Sequence, residues 1–216
     1  MSNHACPLCQ TNNTEFYIQD KRRSYWQCQT CDLVFVEKKA LPSTCTELNE
    51  YKLHENDAED EGYKNFLSRL AIPLLDALPL QQCGLDFGCG PSPVLAQILE
   101  DAGHEVAIYD PFFQPDESVL TRKYDFISCT EAIEHFHNPH RELELWHRLL
   151  KSRGWLAIMT KRVLSKERFI NWHYKNDQTH VSFFSEKTFN FIAKQWGFTL
   201  HIVTADVVLL QKNSIY

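Results

Sequence analysis

Short apolar strands alternate with amphipathic helices from residue 84 onward, and this alternation restricts the chain to few folds. Apolar strands separated by helices form a parallel sheet that is covered by helices on both faces. Two further strands follow Gly197 directly and predict an antiparallel hairpin. We therefore expect an α/β sandwich that ends in a hairpin. The predicted elements are strands 84–87, 105–109, 124–129 and 155–160, helices 93–102, 139–151 and 186–196, and a hairpin over 198–212.

The N-terminal region carries two cysteine pairs of the form C-x2-C, separated by eighteen residues. This spacing is typical of a structural zinc site with four thiolate ligands in tetrahedral geometry. The residues between the pairs predict a β-hairpin, and a unit of this size needs the metal to fold. We expect residues 1–40 to form a small zinc ribbon. Its predicted ligands are Cys6, Cys9, Cys28 and Cys31.

The rest of the chain divides into a linker and one larger domain. Residues 41–55 are polar and lack periodicity, which predicts a linker. The acidic stretch 55–61 is expected to lead into a helix over 59–78, with Pro73 inside it. Residues 56–216 would form the second domain.

The charge and the apolar pattern narrow the classes of partner. With a formal charge of −6, the chain lacks the overall positive charge of proteins that bind long nucleic acids. A local basic patch is still compatible with this charge. No apolar run has the length of a membrane span, and the N-terminus lacks the features of a signal peptide. We expect a cytoplasmic protein that does not bind membranes.

A strand, a glycine turn and a helix start are predicted by the segment LDFGCGPSPVLA. Gly88 and Gly90 would let the backbone pass close to a ligand, beside the free N–H groups of the helix. Asp110 ends the following strand, where an acid can bind ribose hydroxyls. A dinucleotide fingerprint would need glycine in place of Pro93, and Asp86 would repel a pyrophosphate. S-adenosylmethionine (SAM) fits better, because its ammonium group favours an acid.

Residues 85–216 resemble a class I SAM-dependent methyltransferase in the segments LDFGCG, YDFISCTEAIEHF, LLKSRGWLAIMT and THVSFF. The resemblance implies a Rossmann-like fold and SAM as the cofactor. By the same resemblance Asp86, Gly88 and Gly90 bind the methionyl part, and Asp110 binds the ribose. The residues expected to bind the cofactor are Asp86, Gly88, Gly90, Asp110, Thr130 and Glu131.

The chain departs from the pattern of this family in three places. Ser92 and Trp155 stand where glycines are usual. Only fourteen residues separate Asp110 from Asp125, which is too few for a full third helix and strand. We expect a short strand at 118–120 instead.

The segment CTEAIEHFHNPH concentrates acids and histidines after the fourth predicted strand. On a helical turn Glu131, Glu134 and His135 would share one face, and two adjacent carboxylates favour a cation or a proton. The E-x-x-E-H pattern with a later histidine is similar to the metal motif of small-RNA 2′-O-methyltransferases, and E-x-x-E-H also occurs in ubiquinone-pathway O-methyltransferases. The resemblance implies Mg2+ or a similar ion. Its ligands would be Glu131, Glu134, His135 and His180. Alternatively, these residues only pack beside the cofactor.

The segment 161–184 is long, irregular and rich in basic and aromatic residues. It is expected to cover the same edge of the sheet and to offer charge and stacking surfaces to an anionic or aromatic substrate. The alternative is a solvated basic face over a partly buried aromatic cluster. His173 and His180 are the best candidates for a general base, with His135 a further catalytic candidate.

These observations predict transfer of a methyl group from SAM to an oxygen or nitrogen of a small-molecule acceptor. One alternative is an RNA-modifying methyltransferase that uses the ribbon and the basic hairpin tip, residues 21–23, as an anchor. Another is a non-catalytic module that binds SAM or docks to a protein through the ribbon.

Overall fold

The computed structural model describes residues 4–53 and 59–214. The predicted acidic lead into the first long helix therefore lies partly outside the described residues, since 55–58 belong to the gap. Among the helices of the described residues, none is both long and apolar enough to cross a membrane.

A six-stranded sheet forms the centre of the larger domain, in the order β5-β4-β6-β7-β10-β9. The first four strands in this order are parallel, and β10 runs antiparallel to both of its neighbours. The predicted α/β sandwich with a closing hairpin is confirmed. The strands are β4 (Cys83–Phe87), β5 (Glu105–Tyr109), β6 (Tyr124–Thr130), β7 (Leu150–Met159), β9 (Phe198–Ile202) and β10 (Val207–Lys212).

Helices cover both faces of this sheet because successive strand residues point to opposite sides. Phe126 packs in one hydrophobic cluster with α2 and α3, whereas its neighbour Ile127 packs in another with α4 and α6. Helix α2 continues through Pro73. These helices are α2 (Glu61–Ala77), α3 (Val94–Asp101), α4 (Pro139–Leu149) and α6 (Glu186–Trp196), and a short helix, α5 (Lys166–Ile170), lies in the segment that follows β7.

The ribbon is a second, smaller sheet in the order β1-β2-β3-β8. Strands β1 (Thr14–Gln19), β2 (Ser24–Cys28) and β3 (Val34–Val36) come from the N-terminal region. The fourth strand, β8 (Ser182–Phe183), comes from the segment that follows β7 and pairs with β3. The ribbon and this segment thus share one sheet.

Two stretches differ from the expectation. Residues 41–55, predicted as a linker, contain helix α1 (Thr44–Tyr51), which begins because the Ser43 side chain accepts a hydrogen bond from the Thr46 N–H. The short strand expected at 118–120 is wrong. A 3-10 helix (Glu117–Thr121) lies there, and the Asp116 side chain caps it by accepting from the Ser118 N–H.

Candidate active site

A cavity of about 1240 Å3 lies at the carboxyl ends of β4, β5 and β6. Open α/β sheets bind their ligands at this edge. Its volume exceeds the range of about 300–1,000 Å3 that is usual for small-molecule sites, and it leaves room for a cofactor together with an acceptor. Its walls include Asp86, Gly88, Gly90, Asp110, Thr130, Glu131, Glu134, His135 and His180.

Asp86 is a buried carboxylate at the end of β4, with an exposed fraction of 3%. The Ser128 hydroxyl donates to its Oδ1 atom at 2.8 Å. Burial raises the pKa of Asp86 to about 6 despite this hydrogen bond. A buried acid in this state favours a cationic ligand group.

The glycine turn brings the backbone close to the cavity. Gly88 and Gly90 have positive φ angles of 80° and 66°, which favour glycine. A Cβ atom on Gly88 would lie 2.6 Å from the Ala132 Cβ atom, so a side chain is also excluded by contact.

Asp110 connects the glycine turn to the loop after β5. Its Oδ2 atom accepts from the Gly90 N–H at 3.0 Å. Its Oδ1 atom accepts from the N–H groups of Phe112 and Phe113 at 2.8 and 3.1 Å. Carboxylate oxygens can accept further hydrogen bonds, so these contacts leave capacity for a ligand hydroxyl.

The expected helical face of Glu131, Glu134 and His135 is wrong in one respect. The structure has a single 3-10 turn at Ile133–His135, and Glu131 precedes it with a positive φ of 47°. Such backbone strain in a non-glycine residue clusters at functional sites. The Glu131 N–H donates to the Met159 carbonyl at 2.8 Å, which holds the residue at the end of β6.

The two carboxylates meet at the hydroxyl of Tyr174, a residue that the sequence indicated only as part of an aromatic surface. This hydroxyl donates to Glu134 Oε1 and lies 3.4 Å from Glu131 Oε2. The other oxygens, Glu131 Oε1 and Glu134 Oε2, are buried and have no hydrogen-bond partner within the described residues. The same holds for the hydroxyl of Thr130.

Burial changes the ionisation of this pair. It raises the pKa of Glu131 to about 7 and that of Glu134 to about 8, and the charge of Glu131 contributes to the second shift. Two adjacent buried carboxylates repel each other, and a proton or a cation relieves the repulsion. The two buried carboxylate oxygens without a hydrogen-bond partner in the described part of the chain likewise indicate that a proton or a cation is needed here.

Two of the histidines that line the cavity, His135 and His180, are held by backbone carbonyls. His180 Nδ1 lies 2.7 Å from the Tyr174 carbonyl oxygen, and His135 Nδ1 lies 3.2 Å from that of Thr179. Because a carbonyl only accepts, each Nδ1 donates to its carbonyl, and the Nε2 atom of His180 lies 3.7 Å from Asp177 Oδ2. Metal-binding histidines are oriented in the same way.

Glu134, His135 and His180 bring their ligand atoms within 4.8 Å of one another. The structure thus brings three of the four predicted ligands together. Glu131 is outside this set, and it reaches the cluster through the Tyr174 hydroxyl.

His173 is exposed and is not part of the cavity wall as far as the chain is described. Its Nε2 atom lies 3.5 Å from Lys161 Nζ. His173 and Tyr174 are neighbours in one 3-10 turn, but their side chains point in different directions. The tyrosine is buried and donates to Glu134.

For segment 161–184 the structure agrees with the alternative prediction, a solvated basic face over a partly buried aromatic cluster, since Lys166 and Arg168 are exposed. Phe169 and Tyr174 are buried in a hydrophobic cluster that they share with the ribbon. Arg162 donates to the carbonyls of Thr204 and Ala205. Lys175 is buried, with its Nζ atom 3.4 Å from Asp20 Oδ2. These side chains contribute to packing instead of forming an open surface.

The four cysteines of the ribbon form a compact cluster, with all Sγ atoms within 4.8 Å. The Sγ atoms of Cys6 and Cys31 lie 3.5 Å apart, and those of Cys9 and Cys28 lie 3.4 Å apart. Thiol protons donated by Cys31 and Cys6 lower the pKa of Cys28. These separations are close to the value of about 3.8 Å for sulfurs that surround one tetrahedral zinc ion at about 2.3 Å.

The fold and the cavity together define a class I SAM-dependent methyltransferase. The sequence profile of the family described as "Methyltransferase domain" matches residues 58–203, and the chain belongs to this family. A comparison with curated protein sequences found no match.

Solved methyltransferase structures have the same fold. One is the 1,6-didemethyltoxoflavin-N1-methyltransferase of Burkholderia thailandensis with bound 1,6-didemethyltoxoflavin and S-adenosylhomocysteine. It is 15% identical with a TM-score of 0.59, and the match covers 93% of this chain and 100% of that chain. Another is the magnesium protoporphyrin IX methyltransferase of Synechocystis with bound S-adenosylhomocysteine. It is 14% identical with a TM-score of 0.53, covering 79% of this chain and 95% of that chain.

Proposed function

We propose that this enzyme transfers the methyl group of SAM to an oxygen, or alternatively a nitrogen, of a small-molecule acceptor. One observation carries this proposal. The cluster of Glu134, His135 and His180 lines the same cavity as the acid and glycines of the predicted SAM site. An acceptor bound beside the cofactor would therefore lie next to groups that can orient and deprotonate it.

In this proposal the cofactor lies along the carboxyl ends of β4 and β5. Asp86 pairs with the ammonium group, and the turn at Gly88 and Gly90 admits the methionyl part. Asp110 accepts from a ribose hydroxyl through Oδ2 in addition to its three backbone contacts. Thr130 and Glu131 line the cavity at the end of β6, the neighbour of β4.

Glu134, His135 and His180 would hold a divalent ion. Two imidazoles and one carboxylate suit a borderline ion such as Mn2+ better than Mg2+, which prefers oxygen ligands. A bound ion would lower the pKa of an acceptor hydroxyl. The chain itself fixes the two imidazoles through carbonyls, and their Nε2 atoms can also take the acceptor proton directly. His180 and His135 are therefore our catalytic candidates, and exposed His173 is not.

The cysteine cluster would hold a structural zinc ion through Cys6, Cys9, Cys28 and Cys31. Its compact sulfur geometry supports this assignment. Free thiols arranged as metal ligands are typical of a reducing compartment, which supports a cytoplasmic location.

A small molecule is the acceptor that the structure supports best. One of the three basic residues at the hairpin tip, Arg23, is buried against backbone carbonyls, and Lys175 is buried against Asp20, so of the tip only Lys21 and Arg22 are exposed. The two methyltransferases compared above are named for small-molecule substrates. No observation favours RNA modification or a non-catalytic docking role.

Methyl transfer from labelled SAM tests this proposal. The purified protein is incubated with the small-molecule fraction and, separately, the RNA fraction of a cell extract. We expect label only in the first reaction, loss of labelling in His180→Ala, and normal labelling in His173→Ala. Labelling of RNA, or equal activity of the His180→Ala variant, would refute the proposal. The same reactions with and without added Mn2+ separate a bound ion from direct proton transfer.

A further inference from the structure

Arg23, at the tip of the ribbon hairpin, is a buried cation with an exposed fraction of only 7%. Its Nε atom donates to the Tyr25 hydroxyl at 2.9 Å. Its Nη1 atom donates to the Gln178 carbonyl at 2.8 Å. Its Nη2 atom donates to the carbonyls of Lys175 and Asp177 at 2.9 and 2.8 Å.

These three carbonyls belong to one short stretch, residues 174–181, which we name the active-site loop. Tyr174 lies at the start of the loop, and its hydroxyl donates to Glu134. His180 lies near the end of the loop and belongs to the cluster of Glu134, His135 and His180. Every carbonyl that Arg23 binds lies between these two residues. The guanidinium therefore organises the backbone that sets their spacing.

The ribbon holds the end of this loop by a second contact. The Val36 N–H donates to the Val181 carbonyl at 3.0 Å, and the Val181 N–H donates to the Glu134 carbonyl at 2.9 Å. Val181 thus links β3 of the ribbon to the backbone of Glu134, whose side chain lines the cavity. Beyond it, β8 continues the pairing with β3.

The chemistry of this contact requires arginine. A guanidinium presents its donors in a rigid plane, so it can bind carbonyls that diverge from a common centre. A lysine ammonium has three donors on a flexible stem and cannot donate to all of these diverging carbonyls at once. Burying a charge is unfavourable unless its donors are satisfied, and here each nitrogen of the guanidinium donates to an oxygen.

We propose that Arg23 is a positioning residue, through which the ribbon holds the active-site loop so that Tyr174 and His180 face Glu134. The proposed catalytic role of His180 is assumed, but the positioning itself can be tested without it. The ribbon is then a support for the cavity and not an anchor for nucleic acid.

Hydrogen exchange followed by mass spectrometry provides the direct test, on the full-length protein. The variant is Arg23→Ala, and the matched control is Lys21→Ala at an exposed position of the same turn. We expect amides of residues 175–181 to exchange about tenfold faster or more in Arg23→Ala, because hydrogen bonds to a charged group are lost. Exchange at residues 83–110 should stay unchanged, as should the Kd of S-adenosylhomocysteine measured by calorimetry.

Chemical rescue separates positioning from general damage to the fold. Guanidinium ion at millimolar concentration should restore the slow exchange of residues 175–181 in Arg23→Ala, because it can occupy the vacated space. An equal concentration of potassium ion should not. Arg23→Lys should be intermediate, and it serves as the test variant if Arg23→Ala does not fold. Mn2+ affinity, measured by electron paramagnetic resonance, should fall in Arg23→Ala and not in Lys21→Ala.

Two results would overturn the inference. One is unchanged exchange of residues 175–181 in both Arg23 variants, and another is faster exchange that guanidinium fails to reverse. A wild-type protein that binds no Mn2+ would count against the metal site of the proposed function, while the exchange experiment would still decide the role of Arg23.

Discussion

Replacing Asp86 by asparagine should stabilise the SAM-free protein at neutral pH. The carboxylate is 3% exposed, and burial raises its pKa from 3.8 to about 6. A shift of about two units corresponds to about 3 kcal/mol of penalty for the ionised form in the folded state. Asparagine keeps an oxygen that can accept from the Ser128 hydroxyl, and it carries no charge.

The pH dependence gives this prediction its sign. Below about pH 4 the carboxyl group is protonated in both the folded and the unfolded state, so it causes no penalty. Between about pH 4 and pH 6 the unfolded chain releases the proton while the folded chain retains it, and the free energy of unfolding falls. At pH 7 the penalty is nearly complete.

Urea denaturation of the SAM-free wild type and of Asp86→Asn, at pH 5, 6 and 7, measures this effect. We expect Asp86→Asn to be more stable by up to about 3 kcal/mol at pH 7, with a smaller difference at pH 5. Asp76→Asn, at an exposed position of α2, is the control and should change little. An Asp86→Asn variant that is less stable at pH 7, or a difference that does not vary with pH, would refute the reasoning.

The same substitution should weaken cofactor binding. We expect the Kd of S-adenosylhomocysteine to rise about tenfold to a hundredfold, because a charge-assisted hydrogen bond is lost. Calorimetry on the stabilised variant separates this loss from unfolding. A gain in stability together with a loss of affinity would indicate that Asp86 is retained for binding and not for folding.

Three further substitutions test other parts of the structure. Gly88→Ala should weaken S-adenosylhomocysteine binding about tenfold or more in calorimetry, because of its positive φ and the close Ala132 Cβ atom. Gly84→Ala should destabilise the fold by about 1–3 kcal/mol or more in urea, because its Cβ would lie 2.0 Å from the Phe126 ring. Cys9→Ser should remove zinc, with a content near zero by elemental analysis, and should lower the Tm.

Much of the larger domain could be predicted because its signals are local. The strand from Glu105 to Tyr109 and the helix from Glu186 to Trp196 have the predicted bounds, since apolar periodicity and a final glycine define them within a few residues. The six residues expected to bind the cofactor all line one cavity, because strand ends meet at one edge of a parallel sheet.

The contacts across the active-site loop could not be predicted because they join distant parts of the chain. Nothing local distinguishes Tyr174 from its neighbour His173, yet one binds both carboxylates and the other faces solvent. The sequence around Arg23 predicts an exposed basic hairpin tip. Only the contacts with the active-site loop, which is distant in sequence, bury this side chain. The basic and aromatic composition of segment 161–184 therefore does not distinguish an exposed substrate surface from a buried interface with the ribbon.

These contacts suggest a reason why a small sheet with four clustered cysteines is joined to the methyltransferase domain. The active-site loop has little regular structure, with only a 3-10 turn at His173–Asn176, and such a segment does not hold two side chains rigidly by itself. Strand β3 offers a backbone edge and Arg23 a rigid set of donors, both within a unit whose four sulfurs are suited to one ion. If the proposed zinc ion is bound there, its removal should release the active-site loop before it affects the glycine turn, which belongs to a separate sheet. Hydrogen exchange of the chelator-treated protein should show this sequence, with faster exchange at residues 174–184 and unchanged exchange at 83–90.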